Sequence, residues 1–227
     1  MSRIKLLQPQ EIILFNRAPL LDLEEKSHFF SLTSPFDEEF KELRDRYAKI
    51  GFILQLSYFK YAGRFYGANQ FHKSDIVFVI KQLGWKDWGD KVANFQDNYS
   101  HQASYKHRLK VLALSGWSSF EEKQTEFNHR VRLLIDQQLL PRKVLWKLQE
   151  YLFNNQIESP SHDTYRRAIS QTLIDSSEEI SAILFKHLSD QHRGILDLFI
   201  LRDKSYKKTE IASFITVIQS PKPADIK

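Results

Sequence analysis

The stretch Phe52-Ile53-Leu54-Gln55-Leu56-Ser57-Tyr58-Phe59 constrains the fold more than any other part of the chain. A helix that is apolar on nearly every side cannot lie at a surface, so the pattern predicts a helix threaded through the core of a domain. Upstream, Phe36, Phe40, Leu43, Tyr47, Ile50 and Leu54 recur at spacings of four and three, which reads as one face of that same helix. Its opposite face carries Lys41, Arg44, Arg46 and Lys49. Ser34-Pro35 supplies a start signal, a capping residue followed by proline at the first helical position, and Gly63 and Gly67 mark the loop beyond its end. Glycine and proline number only 7 each in 227 residues, too few turns for an all-β chain. The expected fold class is all-α.

Weaker signals place the other helices. Pro9 with Glu11, and Asp22 with Glu24 and Glu25, open two short ones. Another begins at Lys73 or Ser74, buries Ile76, Val79 and Ile80, and stops at Gly84. A helix over 87–95 then follows a short turn, a spacing compatible with helix-turn-helix geometry. Residues 101–114 form the next, closed by Gly116. A second unit starts near Ser118 or Ser119 in a capping arrangement with Glu121 and Glu122, and Phe127, Val131, Leu134 and Ile135 give its apolar face. Helices over 142–154 and 162–173 complete it, joined by a turn that contains Pro160. Ile180, Ile183, Leu184 and Leu188 begin a further helical pair. The expected organisation is a first helical domain over 1–117, a second over 118–175, a helical extension over 176–218 and a disordered tail over 219–227.

Charge points towards a partner class. The net charge is +5, but residues 41–110 hold 13 basic and 6 acidic side chains, whereas residues 1–40 hold 4 and 7. The positive block also carries Tyr47, Tyr58, Tyr61, Trp85, Trp88 and Tyr105. A local basic excess on a helical domain is the footprint of a surface that docks on phosphates. The chain has no cysteine, which removes disulfides, cysteine-ligated zinc and a thiol nucleophile, and it fits a reducing compartment. No apolar run approaches the length of roughly 20 residues that spans a bilayer. A cytoplasmic protein without a membrane partner is expected.

No glycine-rich phosphate loop, zinc-type histidine pair or nucleophile elbow occurs. His187 and His192 stand five apart, a spacing that does not stack two metal ligands on one helical face. His107 lies among Lys106, Arg108 and Lys110, where a structural or phosphate-facing role outweighs general-base work. The carboxylate pairs Glu121/Glu122 and Glu178/Glu179 fall at helix starts, where the dipole already accounts for them. No catalytic residue, metal site or cofactor is expected.

Particular residues nevertheless resemble a known family. The run from Ala48 through Gly51-Phe52-Ile53-Leu54-Gln55-Leu56 to Arg64-Phe65 is similar to the L-G-x-A-L-Q-L…R…G-x-F signature near the N-terminus of the Tn-three family of replicative transposases. Lys81-Gln82-Leu83-Gly84 resembles that family's A-x-Q-L-G segment, and His107 falls at the histidine of its T-R-x-x-H motif, with Phe120 at the following spacing. The turn from Gln156-Ile157 through Pro160 to Tyr165, Arg166 and Ile169 is similar to the family's second helical unit. The match runs in order over residues 6–203.

The resemblance implies two consecutive helical, helix-turn-helix-like domains that bind double-stranded DNA at the terminal inverted repeats of a transposon, in the service of transposition and DNA recombination. It also implies that strand-transfer chemistry resides in a ribonuclease-H-like domain with a metal-binding acidic triad, which this chain does not reach, so it is not expected to be an enzyme. One motif departs: where the family has Thr-Arg-Arg before the histidine, this chain reads Ala103-Ser104-Tyr105. Lys106 and Arg108 supply nearby charge, although lysine does not reproduce a bidentate arginine contact. The expected DNA-contacting residues are Arg44, Arg46, Lys49, Lys60 and Arg64, then Lys106, His107, Arg108 and Lys110, then Arg142, Lys143, Thr164, Arg166 and Arg167. The alternative expectation is a helical protein-interaction module, a transposase-derived regulator that pairs with a full-length transposase or with itself.

Overall fold

The computed structural model describes residues 4–195, and its regular elements are all helical. In chain order these are α1 (Pro9–Asn16), α2 (Leu23–Phe29), α3 (Phe36–Glu42), α4 (Arg46–Ala62), α5 (Lys73–Gln82), α6 (Phe95–Asn98), α7 (His101–Ser115), α8 (Gln124–Asp136), α9 (Pro141–Asn154) and α10 (His162–His187). Short 3-10 segments cover Ala68–Gln70 and Lys86–Asn94. Of the described residues, those up to Leu173 form one compact unit and those from Ile174 belong to a second. The latter half of the expected extension and the whole expected tail lie outside the described residues.

Local chemistry sets most boundaries. The Asp22 side chain accepts from the Glu25 N–H at 2.9 Å while Glu25 reaches back to the Asp22 N–H at 2.9 Å, a reciprocal cap for α2. Ser100 Oγ caps α7 by accepting from Ala103 at 3.1 Å. Gly63 (φ 65°) and Gly116 (φ 71°) end α4 and α7 in the left-handed conformation that glycine adopts without steric cost. Two expectations are corrected. The helix read as continuous from Phe36 is broken at Leu43–Asp45, because the Asp45 carboxylate accepts the Ala48 N–H at 2.7 Å and starts a new helix there. The helix expected over 87–95 is a 3-10 segment followed by the single turn of α6, so no regular recognition helix directly follows the Gly84 turn.

Tertiary packing explains why α4 is apolar all round. One side, Ile50, Ile53, Leu54 and Tyr58, joins Ile76, Val79 and Ile80 of α5 with Phe71, Phe95 and Tyr99 in one core cluster. The other side, Phe52, Leu56 and Phe59, packs on Phe36 of α3 and on Val111 and Leu112 of α7. Gly51 lets the Tyr99 ring rest on the α4 backbone: a Cβ there would sit 2.2 Å from the ring. Asp75 is doubly paired inside this layer. The Tyr58 hydroxyl donates to Asp75 at 2.6 Å, and Lys26 bridges the same carboxylate at 2.8 Å.

A further cluster unites α8, α9 and the start of α10 through Phe127, Val131, Val144, Leu148 and Tyr165. Leu6 and Leu7, from the beginning of the chain, are buried in it as well. The boundary expected at residue 117 therefore falls inside a single compact unit. A backbone bond crosses it: Ser159 donates to Gly63 O at 2.8 Å.

Candidate nucleic-acid interface

The basic side chains singled out by the sequence divide into those the fold engages and those it leaves open. Arg64 is 7% exposed and donates to Phe15 O at 2.7 Å and Pro160 O at 2.8 Å, with its guanidinium over the Phe15 ring. Burial lowers its pKa. It ties the α1 terminus to the turn before α10 and offers no face to a duplex, contrary to the expectation of a DNA contact. His107 is also buried, between Phe52 and Tyr99, with the Tyr99 hydroxyl in hydrogen-bond contact with Nδ1 at 2.9 Å. Burial pushes its pKa down to about 4, against a raising contribution from Glu39, so the ring is neutral near pH 7. A phosphate-facing imidazolium is excluded there; this histidine is a core side chain.

Arg108 is held by two carboxylates. Its Nε and Nη2 bond Glu158 at 2.7 and 2.5 Å, a bidentate pair, and Nη2 also bonds Glu121 at 2.6 Å. The Glu158 hydrogen bond is the main cause of its raised pKa. Lys110 pairs with Glu39 at 2.8 Å, and Arg142 makes a two-pronged contact with Glu11 at 2.6 and 3.1 Å. Arg166 bonds Asp163 at 2.5 Å, and Arg167 shares that carboxylate. Thr164 Oγ1 lies 3.1 Å from Ser161 Oγ in the turn that opens α10. The surface pairs, Lys110, Arg142 and Arg167 among them, are weak and can exchange one anion for another; the buried ones cannot cheaply do so.

The open cations gather mainly at the start of α4. Arg44 is exposed and holds no ion pair among the described residues. Arg46, on the first turn, is exposed with its guanidinium 5.1 Å from the Trp85 ring centre and 5.6 Å from that of Trp88. Tyr47 extends this aromatic shelf, 4.6 Å from Trp88. Lys49 sits over the Phe40 ring at 4.9 Å. The N-terminal end of a 17-residue helix adds its own positive dipole, partly offset by Asp45. Lys60, over Phe36, is half-buried, and burial lowers its pKa. Lys106 on α7 and Lys143 on α9 are exposed and without ion pairs among the described residues.

Aromatic side chains form a second surface feature. Tyr61, Trp117, Trp146 and Phe153 line an open groove of about 520 Å³ with Arg64 at its floor, and Trp146 and Phe153 are 44% and 52% exposed. Core packing turns Leu145 and Leu148 inward, and the groove is built from the faces left over. No group of three or more histidines or carboxylates that could hold a metal ion occurs among the described residues.

Residues 6–172 match the sequence profile of a family described as a domain of unknown function, DUF4158. The chain belongs to this family. The matched DUF4158 region ends at residue 172, one residue before the compact unit does. It therefore contains the α4 shelf, the buried His107 and the Arg108–Glu158 pair. Comparison with curated proteins gives no match. Among the described residues no helix is long and apolar enough to cross a membrane.

Proposed function

We propose that this chain binds double-stranded DNA, as the cytoplasmic N-terminal part of a replicative transposase that recognises the terminal inverted repeats of its transposon. The observation that carries the reading is the shelf at the start of α4, where Arg44 and Arg46 stand open beside Trp85 and Trp88. A stacked guanidinium keeps its edge donors free for phosphate or for guanine, and an aromatic face beside it suits a sugar or an unstacked base. Lys49, Lys106 and Lys143 supply further phosphate contacts. The carboxylates of Glu39, Glu11 and Asp163 are the groups that a phosphate would displace from Lys110, Arg142, Arg166 and Arg167.

Fluorescence anisotropy on a duplex carrying the terminal repeat and on a scrambled duplex tests this. Roughly five phosphate contacts predict that log affinity falls against log salt with a slope of about −4.5. Arg46→Ala should weaken binding by about tenfold at fixed salt. A flat salt response, or equal affinity for the two duplexes, would overturn the reading.

A second reading rests on α10. Ile180, Ile183, Leu184 and Phe185 are each more than half exposed in the latter part of that helix, which favours a surface that pairs with a transposase partner or with a second copy. Size-exclusion chromatography with the full-length enzyme and without DNA tests it; monomer alone would refute it.

A further inference from the structure

The aromatic groove carries a charge pattern that a DNA surface would not have. Trp146, Glu150 and Phe153 follow one another at spacings of four and three on α9, so they share one face of that helix. All three are exposed and line the groove, which sets a carboxylate between two open rings. Trp117 meets Phe153 edge to face, with ring centres 5.6 Å apart, and Tyr61 at the end of α4 adds a further ring. The wall is preformed: a Cβ at Gly63 would lie 3.2 Å from Trp117 and 3.4 Å from Phe153, so both rings rest against the turn that ends α4.

Among the described residues that line it, Arg64 and Glu150 are charged. Arg64 is closed off, its Nη1 and Nη2 engaged by Phe15 O and Pro160 O. Glu150 is open, and its side chain holds no ion pair or hydrogen bond among the described residues. A free carboxylate beside the negative faces of aromatic rings attracts a cation and repels a phosphate. Arg64 displays the kind of cation that suits such rings, a planar guanidinium 4.6 Å from the Phe15 ring centre and 5.6 Å from that of Tyr66. Its buried charge disfavours a second cation at the floor and leaves the exposed side beside Glu150 as the place for one. The groove is open rather than enclosed, which admits a side chain carried by another protein.

We propose that this groove takes an arginine side chain of a partner protein. The guanidinium pairs with the Glu150 carboxylate and lies against the rings of Trp146 and Phe153. Glu150 and Trp146 are not among the proposed DNA contacts, so duplex binding should survive substitution of either.

The test is an NMR titration of the full chain that follows the indole N–H signals of its 4 tryptophans, each assigned by substitution with phenylalanine. The probes are a capped glycine-arginine-glycine peptide and its citrulline counterpart, which keeps the shape and lacks the charge, at matched ionic strength. The arginine peptide should move the Trp117 and Trp146 signals, leave those of Trp85 and Trp88 in place, and bind about tenfold more tightly than the citrulline peptide. Glu150→Gln should weaken the arginine peptide roughly threefold to fivefold and leave the citrulline peptide unchanged. Trp146→Ala should weaken it by a similar factor, read from the Trp117 signal. Should Trp146→Ala fail to fold, Glu150→Gln, a change at an exposed and unpaired side chain, still decides. Equal affinity for the two peptides, no shift at Trp117 and Trp146, or an arginine affinity that Glu150→Gln leaves intact would overturn the proposal. A lysine peptide that binds as tightly as the arginine one would overturn the choice of a guanidinium. A thymidine oligonucleotide that moves the Trp146 signal when the peptide does not would overturn it too, and would make the groove part of the DNA surface instead.

Discussion

Acidification should expose the cost of burying His107. The ring lies inside the α4–α7 layer, its Nδ1 occupied by the Tyr99 hydroxyl, and its pKa falls from 6.5 to about 4. The unfolded chain binds that proton more tightly than the folded one, so the neutral ring costs nothing above pH 6.5 and stability declines below it. At 1.36 kcal/mol per pH unit the loss reaches roughly 3 kcal/mol by the time the folded-state value of about 4 is reached. Other carboxylates also titrate over this range, so the measurement is a comparison. His107→Gln keeps a hydrogen-bonding group for Tyr99 and cannot titrate. Urea unfolding of both proteins between about pH 7.5 and about pH 4 should show the original chain losing roughly 3 kcal/mol more than the variant. Parallel pH profiles would refute the claim that burial holds this histidine neutral.

Three further outcomes follow from packing and charge. Gly51→Ala should destabilise by about 1–3 kcal/mol in denaturant titration, despite the better helix propensity of alanine, because its methyl meets the Tyr99 ring at 2.2 Å. A neutral or stabilising result would show that the ring can move aside. Glu158→Gln leaves the mostly buried Arg108 guanidinium with only the exposed Glu121, and should cost roughly 2–3 kcal/mol by the same measurement. Asp163→Asn releases Arg166 and Arg167 together; thermal stability should change little, while affinity for the duplex in the anisotropy assay rises several-fold. Unchanged affinity would remove the start of α10 from the DNA contact surface.

Much of the helical framework was legible in the chain because its signals are local. The capping group at Asp22, the glycine stops at Gly63 and Gly116, and the prolines that start α1 and α9 act within a turn of the residues they govern. The break at Asp45 was missed because the apolar spacing of Phe40, Leu43 and Tyr47 continues across it; one capping carboxylate outweighed the periodicity. The candidate site was less legible. A list of basic residues does not distinguish Arg46, open on its tryptophan shelf, from Arg64, closed over two carbonyls, since the two tryptophans are 39 or more residues from Arg46 and the two carbonyls 49 or more from Arg64.

What the sequence determined by itself is the all-α class, the burial of α4 and the basic excess of residues 41–110. These depend on periodicity, caps and composition, which the chain carries whatever its neighbours do. Only the tertiary structure decided which charges remain available. Bringing Glu158 to Arg108 and Glu11 to Arg142 joins residues far apart in the chain, and a charge is neutralised by what stands a few ångströms from it in space. The same packing holds the Gln55 amide against Tyr66 O and Ser104 Oγ, 11 and 49 residues away in the chain.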